Sequence, residues 1–269
     1  MNRKSAIGIF DSGLGGLTVM SAVTKLMPKE NIIYFGDTAH VPYGSKSKKV
    51  VTDFSLGISK FLVKHNVKII VVACNTASAF SLDILKKKIK VPVIGVIRAG
   101  SVMAVKKTKN KKIGIIGTEG TIKSKAYIKE INKYDKSIQT FSQACPLFVP
   151  LVEEGWFDKK ITKDIIKEYL ASTVNKKIDT IILGCTHYPL LKKSIRQVIG
   201  GHINIVDSAT AVAHEVKDLL EKEDIENKSG VGKYIFYVSD CPEKFKKLGS
   251  NFFAKKIKDV TKVEISNEI

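Results

Sequence analysis

Two segments of the chain end an apolar run with a thiol and polar side chains. The first is Ile69-Ile70-Val71-Val72-Ala73-Cys74-Asn75-Thr76, and the second is Ile181-Ile182-Leu183-Gly184-Cys185-Thr186-His187. Each begins as a buried strand would. A free thiol titrates near about 8.5, and a helix N-terminus or a nearby cation lowers that value. Cys74 stands where a strand gives way to a helix, so free N–H groups and the helix dipole favour a thiolate there. Cys185 has a similar setting, with His187 two residues on. An isolated cysteine is more often core than chemistry. Two at equivalent strand ends, each beside hydrogen-bonding side chains, read instead as an acid–base pair. Such a pair can take a proton from one face of a carbon and return one to the opposite face, inverting a stereocentre. The two thiols must then hold opposite protonation states at any moment, a coupled titration. Cys145 and Cys241 lack this context and read as structural.

Strands and helices alternate around these segments. Residues 6–10, 32–35, 68–73 and 91–96 read as strands, and 17–27, 50–65 and 75–88 as helices. Pro92 argues for an edge or strand-end position. The pattern then restarts. Helices are expected over 99–105, 124–132, 162–175, 190–198 and 210–221, and strands over 112–116, 137–142, 180–184 and 203–206. Residues 117–121 read as a loop, 223–232 as a polar, mobile loop, and 234–238 as a last strand. This alternation implies an α/β fold with mostly parallel sheets covered by helices.

Gly8-Ile9-Phe10-Asp11-Ser12 aligns with Gly114-Ile115-Ile116-Gly117-Thr118, and the steps from Ser12 to Cys74 and Thr118 to Cys185 are 62 and 67 positions. Two similar α/β domains related by a pseudo-twofold axis follow, with the active site in the cleft between them. The expected domains are 1–97 plus 208–269, a discontinuous unit, and 98–207.

Sites in such sheets lie at the carboxyl ends of the strands. That rule selects Asp11, Ser12, Asp37, Cys74, Asn75, Thr76, Thr118, Thr121, Cys185, Thr186, His187, Asp207 and Ser208. Asp11 and His187 become candidate assistants, one near each thiol, although Asp11 also suits a glycine-loop turn and His187 a packed loop. Ser12, Asn75, Thr76, Thr118, Thr121 and Thr186 can hydrogen-bond the ammonium and carboxylates of an amino acid.

Composition excludes several classes. The 44% apolar and 26% charged fractions are those of a globular protein. No apolar run reaches the roughly 18–20 residues that a membrane span needs, and the first residues lack a secretory pattern, so a cytoplasmic protein is expected. The four cysteines show neither CxxC nor zinc spacing, which argues against a metal site. Asp11-Ser12-Gly13-Leu14-Gly15-Gly16 is neither a dinucleotide fingerprint nor a P-loop, and no lysine has a Schiff-base context, so no cofactor is expected. The net charge of +19 comes from scattered lysines without interleaved aromatics, which favours solvated faces over a nucleic-acid surface.

At this point the residues resemble a known family, the glutamate racemases of the aspartate/glutamate racemase family. The resemblance rests on Phe10-Asp11-Ser12-Gly13-Leu14-Gly15-Gly16-Leu17-Thr18-Val19, on Gly36-Asp37-Thr38 with Pro42-Tyr43-Gly44, on Ala73-Cys74-Asn75-Thr76-Ala77, and on Leu183-Gly184-Cys185-Thr186-His187-Tyr188-Pro189. It continues through Gly117-Thr118 with Thr121, 146–153, and Asp207-Ser208. It implies a cofactor-independent enzyme that interconverts L- and D-glutamate, the D-enantiomer serving peptidoglycan synthesis. It gives the proton-transfer roles to Cys74 and Cys185, and substrate contacts to Asp11, Ser12, Pro42, Tyr43, Gly44, Asn75, Thr76, Thr186 and His187. It also implies a homodimer. His40 stands where an arginine is common, and Ile97-Arg98-Ala99-Gly100 lacks a usual proline. Three other readings remain open: a racemase of aspartate or another amino acid, a thiol hydrolase using Cys185 and His187, and a nucleic-acid binder driven by charge.

Overall fold

Ile7-Gly8-Ile9-Phe10-Asp11 is buried throughout and forms β1 (Ile7–Asp11) in the computed structural model, which describes residues 2–265. The next apolar runs become β2 (Ile32–Gly36), β3 (Ile69–Val72) and β4 (Val93–Gly95). The second series is β5 (Lys112–Gly117), β6 (Gln139–Ala144), β7 (Thr180–Gly184) and β8 (Asn204–Asp207). β9 (Tyr234–Val238) and a short β10 (Thr261–Lys262) follow. All pairings are parallel, in two sheets of order β10-β9-β2-β1-β3-β4 and β6-β5-β7-β8.

The internal repeat is therefore a repeat of topology. β2-β1-β3-β4 and β6-β5-β7-β8 have the same strand order, and β9 and β10 extend only the first sheet. Gly8 and Gly114 hold the same place in the two central strands. A Cβ on Gly8 would meet Leu62 and Val67 at 3.2 Å, and one on Gly114 would meet Ile178 at 2.7 Å, so in each half a helix and the segment after it press against the strand. β4 lies at a sheet edge, where Pro92 costs no ladder bond.

The helices are α1 (Leu17–Leu26), α2 (Lys48–Lys64), α3 (Asn75–Lys88), α4 (Val96–Lys107), α5 (Glu119–Ser124), α6 (Ala126–Tyr134), α7 (Phe148–Glu153), α8 (Lys160–Val174), α9 (Lys192–Ile199), α10 (Ser208–Lys222) and α11 (Pro242–Phe253). One apolar cluster runs through both sheets, from Ile7 and Ile9 through Leu17 and Val212 to Ile116 and Leu183. No helix among the described residues is long and apolar enough to cross a membrane.

Four local readings of the sequence need correction. The helix expected over 124–132 is two helices, α5 and α6, broken at Lys125 with φ 56°. Helix α5 starts early, inside the expected loop, because the Thr118 hydroxyl accepts from the Thr121 amide and caps it. Val96, expected to end a strand, opens α4. The loop 223–232 is pinned rather than mobile. The Asn227 amide donates to Glu30 Oε1 at 2.7 Å, its side chain donates to Lys29 O at 2.7 Å, and Ile225 is buried.

That pinning centres on a buried ion pair. Lys68 Nζ lies 2.6 Å from Glu30 Oε2, and the two side chains are 0% and 1% exposed. Lys68 also donates to Arg3 O at 2.9 Å and Ile225 O at 2.8 Å, so one ammonium ties the N-terminal segment, β3 and the return from α10. Removing one partner of such a pair leaves the other charge buried and unpaired. Lys68→Met is expected to lower unfolding free energy by about 3–5 kcal/mol. Urea denaturation followed by circular dichroism checks this, and a loss under about 1 kcal/mol would show that Glu30 finds another partner.

Candidate active site

The two thiols arise from matching points of the repeated sheets. β3 ends at Val72, the Ala73 amide donates to Phe10 O at 2.9 Å, and Cys74 becomes the N-cap of α3. Its Sγ accepts from the Ala77 amide at 3.5 Å. β7 ends at Gly184, and Cys185-Thr186-His187 leads into a 3-10 turn over Tyr188–Leu191. Both cysteines are buried, at 6% and 7% exposure, and both line one cavity of ≈ 30 Å³.

Residues of both halves close that cavity. Ser12, Pro42, Tyr43, Gly44, Cys74, Asn75 and Thr76 come from the first, and Thr118, Cys185, Thr186 and His187 from the second. Val41 and Val149 also line it, and sequence reading had not singled them out. Asp11 and Thr121 stand behind the wall. The Thr186 hydroxyl lies 3.4 Å from Asp11 Oδ1, and Thr121 Oγ1 lies 3.2 Å from Thr76 Oγ1 and 3.1 Å from Thr118 Oγ1. Asp207 and Ser208 also stay out of the wall, where Asp207 caps α10 by accepting from the Thr210 amide. Gly15 allows the closest approach of the halves, because a Cβ there would sit 2.2 Å from Thr186 Oγ1 and 2.6 Å from His187 Nδ1.

The two thiols have unlike surroundings. Burial, with the charge of Asp11 behind it, pushes Cys74 up to about 12. Beside Cys185, His187 Nδ1 lies 3.9 Å from Sγ, and His187 Nε2 lies 3.2 Å from Glu153 Oε1. Burial alone would lower the imidazole pKa. Hydrogen bonds to Cys185 and Glu153, with the charges of Cys185 and Asp11, overcome that and hold it at about 10. The hydrogen bond from His187 in turn keeps Glu153 below its ordinary value. Asp11 is fully buried and raised by that burial, although His187 and the amides of Gly16 and Gly13 pull it back down. Its Oδ2 accepts from the Gly13 amide at 3.0 Å, so the turn role and the site role coincide in one side chain.

Asp37 sits at the end of β2 without lining the cavity, and it organises the 38–44 loop that does. Its Oδ2 accepts from the Tyr43 hydroxyl at 2.5 Å, while Oδ1 meets His40 Nδ1 at 2.8 Å and accepts from the Ser239 hydroxyl at 2.7 Å. Glu153 was missed as a site residue because it lies 34 positions from His187, on α7, which carries no strand-end signal. Its place within the resembling stretch 146–153 was the one available hint. Among the described residues, no group of three or more His, Cys, Asp or Glu could hold a metal ion.

Comparison with known proteins bears on this geometry. The family model for Asp/Glu/Hydantoin racemase matches residues 13–216. The chain is 46% identical over 264 residues to the glutamate racemase of Geobacter metallireducens, covering 98% of each. Among solved structures it is similar to the Francisella tularensis glutamate racemase in complex with D-glutamate, with a TM-score of 0.93 and 37% identity over 98% of this chain and 99% of that one. It is also similar to a Bacillus anthracis glutamate racemase, with a TM-score of 0.95 and 38% identity over the same shares.

The Glu153–His187 pair carries a pH signature. His187 is raised from 6.5 to about 10 in the folded chain, so its contribution to stability is complete below pH 6.5 and is lost as pH rises toward 10. Glu153→Gln removes part of that raising. The melting temperature of Glu153→Gln is expected to fall furthest below the unaltered chain near about pH 6 and to converge with it near about pH 10. Thermal unfolding across that range checks the sign, and a gap that widens with pH contradicts it.

Proposed function

The chain belongs to the Asp/Glu/Hydantoin racemase family, and from that premise we propose that it interconverts L- and D-glutamate by two-thiol proton transfer, without a cofactor. One observation carries the mechanism: two buried cysteines, at equivalent ends of two repeats of one sheet topology, line the same cavity. One sulfur removes the Cα proton as a thiolate and the other delivers its thiol proton to the opposite face, so atoms and charge balance over the step. Burial favours the thiol form at Cys74, and His187 stands beside the Cys185 sulfur. With the opposite enantiomer the two sulfurs exchange roles.

Glutamate as the substrate is supported by the 46% identity to a glutamate racemase and by the structural likeness to a glutamate racemase holding D-glutamate. The lining offers what an amino acid with two carboxylates requires. Hydroxyls of Ser12, Thr76, Thr118 and Thr186, the Asn75 amide and the N-terminus of α3 are hydrogen-bonding groups for carboxylate and ammonium. The cavity of ≈ 30 Å³ has room for little more than water, so the proposed cycle includes a parting of the two halves to admit substrate. The proposed domains are 1–97 with 208–269 and 98–207, a division supported by the sheet membership of the strands. A homodimer in the cytoplasm that supplies D-glutamate to peptidoglycan, and so supports cell shape, completes the proposal and rests on the resemblance read from the sequence.

The test follows L-glutamate in D₂O by circular dichroism and mass spectrometry. Loss of optical activity with deuterium at Cα is expected. Cys74→Ala and Cys185→Ala should each lower inversion by at least about a hundredfold, the low end for a lost acid–base group. Unimpaired inversion in either variant sinks the mechanism, and comparable turnover of L-aspartate sinks the glutamate assignment.

A further inference from the structure

Asn75 lines the cavity beside Cys74 and is 2% exposed. Its Oδ1 accepts a hydrogen bond from the Tyr127 hydroxyl at 2.7 Å. Its Nδ2 is buried and has no hydrogen-bond partner among the described residues. The two residues come from opposite halves, Asn75 from the first turn of α3 and Tyr127 from α6. Ser208, the first residue of α10, stands near the Tyr127 ring. Tyr127 and Ser208 close on Gly100 of α4, whose added Cβ would meet Tyr127 Cε1 at 3.4 Å and Ser208 Cβ at 3.5 Å.

The phenol gives its one proton to Asn75 Oδ1. An amide side chain has two ends of similar shape and opposite hydrogen-bond sense. With the oxygen engaged by Tyr127, the end left over is the NH₂ group, a donor. A buried donor without an acceptor is costly, and an acceptor entering the cavity relieves that cost. The opposite orientation would present Oδ1 to the cavity and repel a carboxylate.

We infer that Tyr127 is a positioning residue, which holds the Asn75 amide so that Nδ2 donates to a substrate carboxylate. The inference rests on the glutamate reading of this cavity and deepens it. Because the contact joins α3 and α6, the amide is set only when the two halves are together. Binding of the carboxylate is thereby coupled to closure.

Tyr127→Phe keeps the buried ring and removes only the hydroxyl. Its KM for glutamate is expected to rise by about five- to tenfold, the size of one ordinary hydrogen bond, with kcat changed by less than about threefold. The decisive reading is the double-mutant cycle. In an Asn75→Ala background, Tyr127→Phe should change KM by less than about twofold, because the group it positions is gone. An unchanged KM in Tyr127→Phe, or the same rise in the Asn75→Ala background, overturns the positioning role and leaves the glutamate reading standing. Absence of glutamate turnover in the unaltered enzyme overturns both, so the two failures are told apart by which protein shows them.

Discussion

Under the proposed chemistry, one cavity of ≈ 30 Å³ has to hold two sulfurs that differ in charge, and much of the structure around it bears on that constraint. Two thiolates at this depth would repel each other and lack solvent, and two thiols would leave no base. A repeated fold by itself makes the two positions alike. The same strand order ends in Cys74 in one half and Cys185 in the other. The side chains then break the symmetry. A buried carboxylate, Asp11, acts on Cys74 and disfavours its ionisation, while an imidazole stands against Cys185. The line of contacts Asp11–Thr186 and His187–Glu153 joins these opposite influences, so neither thiol is tuned alone.

Close approach of the halves keeps the cavity small. Gly15 meets Thr186 and His187 where a methyl group would not fit, and Gly44 meets Thr118, whose Cβ would lie 2.7 Å from an added Cβ. Both contacts run from a loop of the first half to a strand-end segment of the second. Larger residues would hold the strand ends apart and widen the space between them. The 38–44 loop is fixed from outside by Asp37 and, through Ser239, by the end of β9. The added strand β9 thus has a part in the site although no residue of it lines the cavity.

How much of this was legible depended on whether the signal was local. Apolar runs and capping residues are local, so α3 over Asn75–Lys88, β7 over Thr180–Gly184 and β9 over Tyr234–Val238 match their sequence reading residue for residue. The strand-end rule likewise found Cys74, Asn75, Thr76, Thr118, Cys185, Thr186 and His187, which all line the cavity. The break at Lys125 was not legible, because its left-handed backbone lies in a run with no glycine to announce it. Loop 223–232 looked free because its anchor, the Glu30–Lys68 pair, is made of residues far away in sequence. Glu153 and Tyr127 were missed for the same reason, since each meets its partner only through tertiary packing, 34 and 52 positions away.

The structure also narrows what His187 can do under the proposed chemistry. From the sequence, a histidine beside a thiol could accept that thiol's proton near neutral pH. The hydrogen bonds and charges around His187 raise its pKa, which favours the protonated ring near neutral pH. Under the proposed chemistry that favours an electrostatic part for the ring, a cation beside the Cys185 sulfur. Glu153 keeps that cation in place, which explains why a carboxylate outside the cavity wall is bonded to the far nitrogen of the ring. Asp11 acts in the opposite sense on the other sulfur. Its two oxygens are tied to the Gly13 amide and the Thr186 hydroxyl, so its position is set by the glycine loop and by the opposing half together. The balance between the thiols is therefore a property of the closed arrangement. Separating the halves would take Thr186 and His187 away from Asp11 and alter both sulfurs in a single movement.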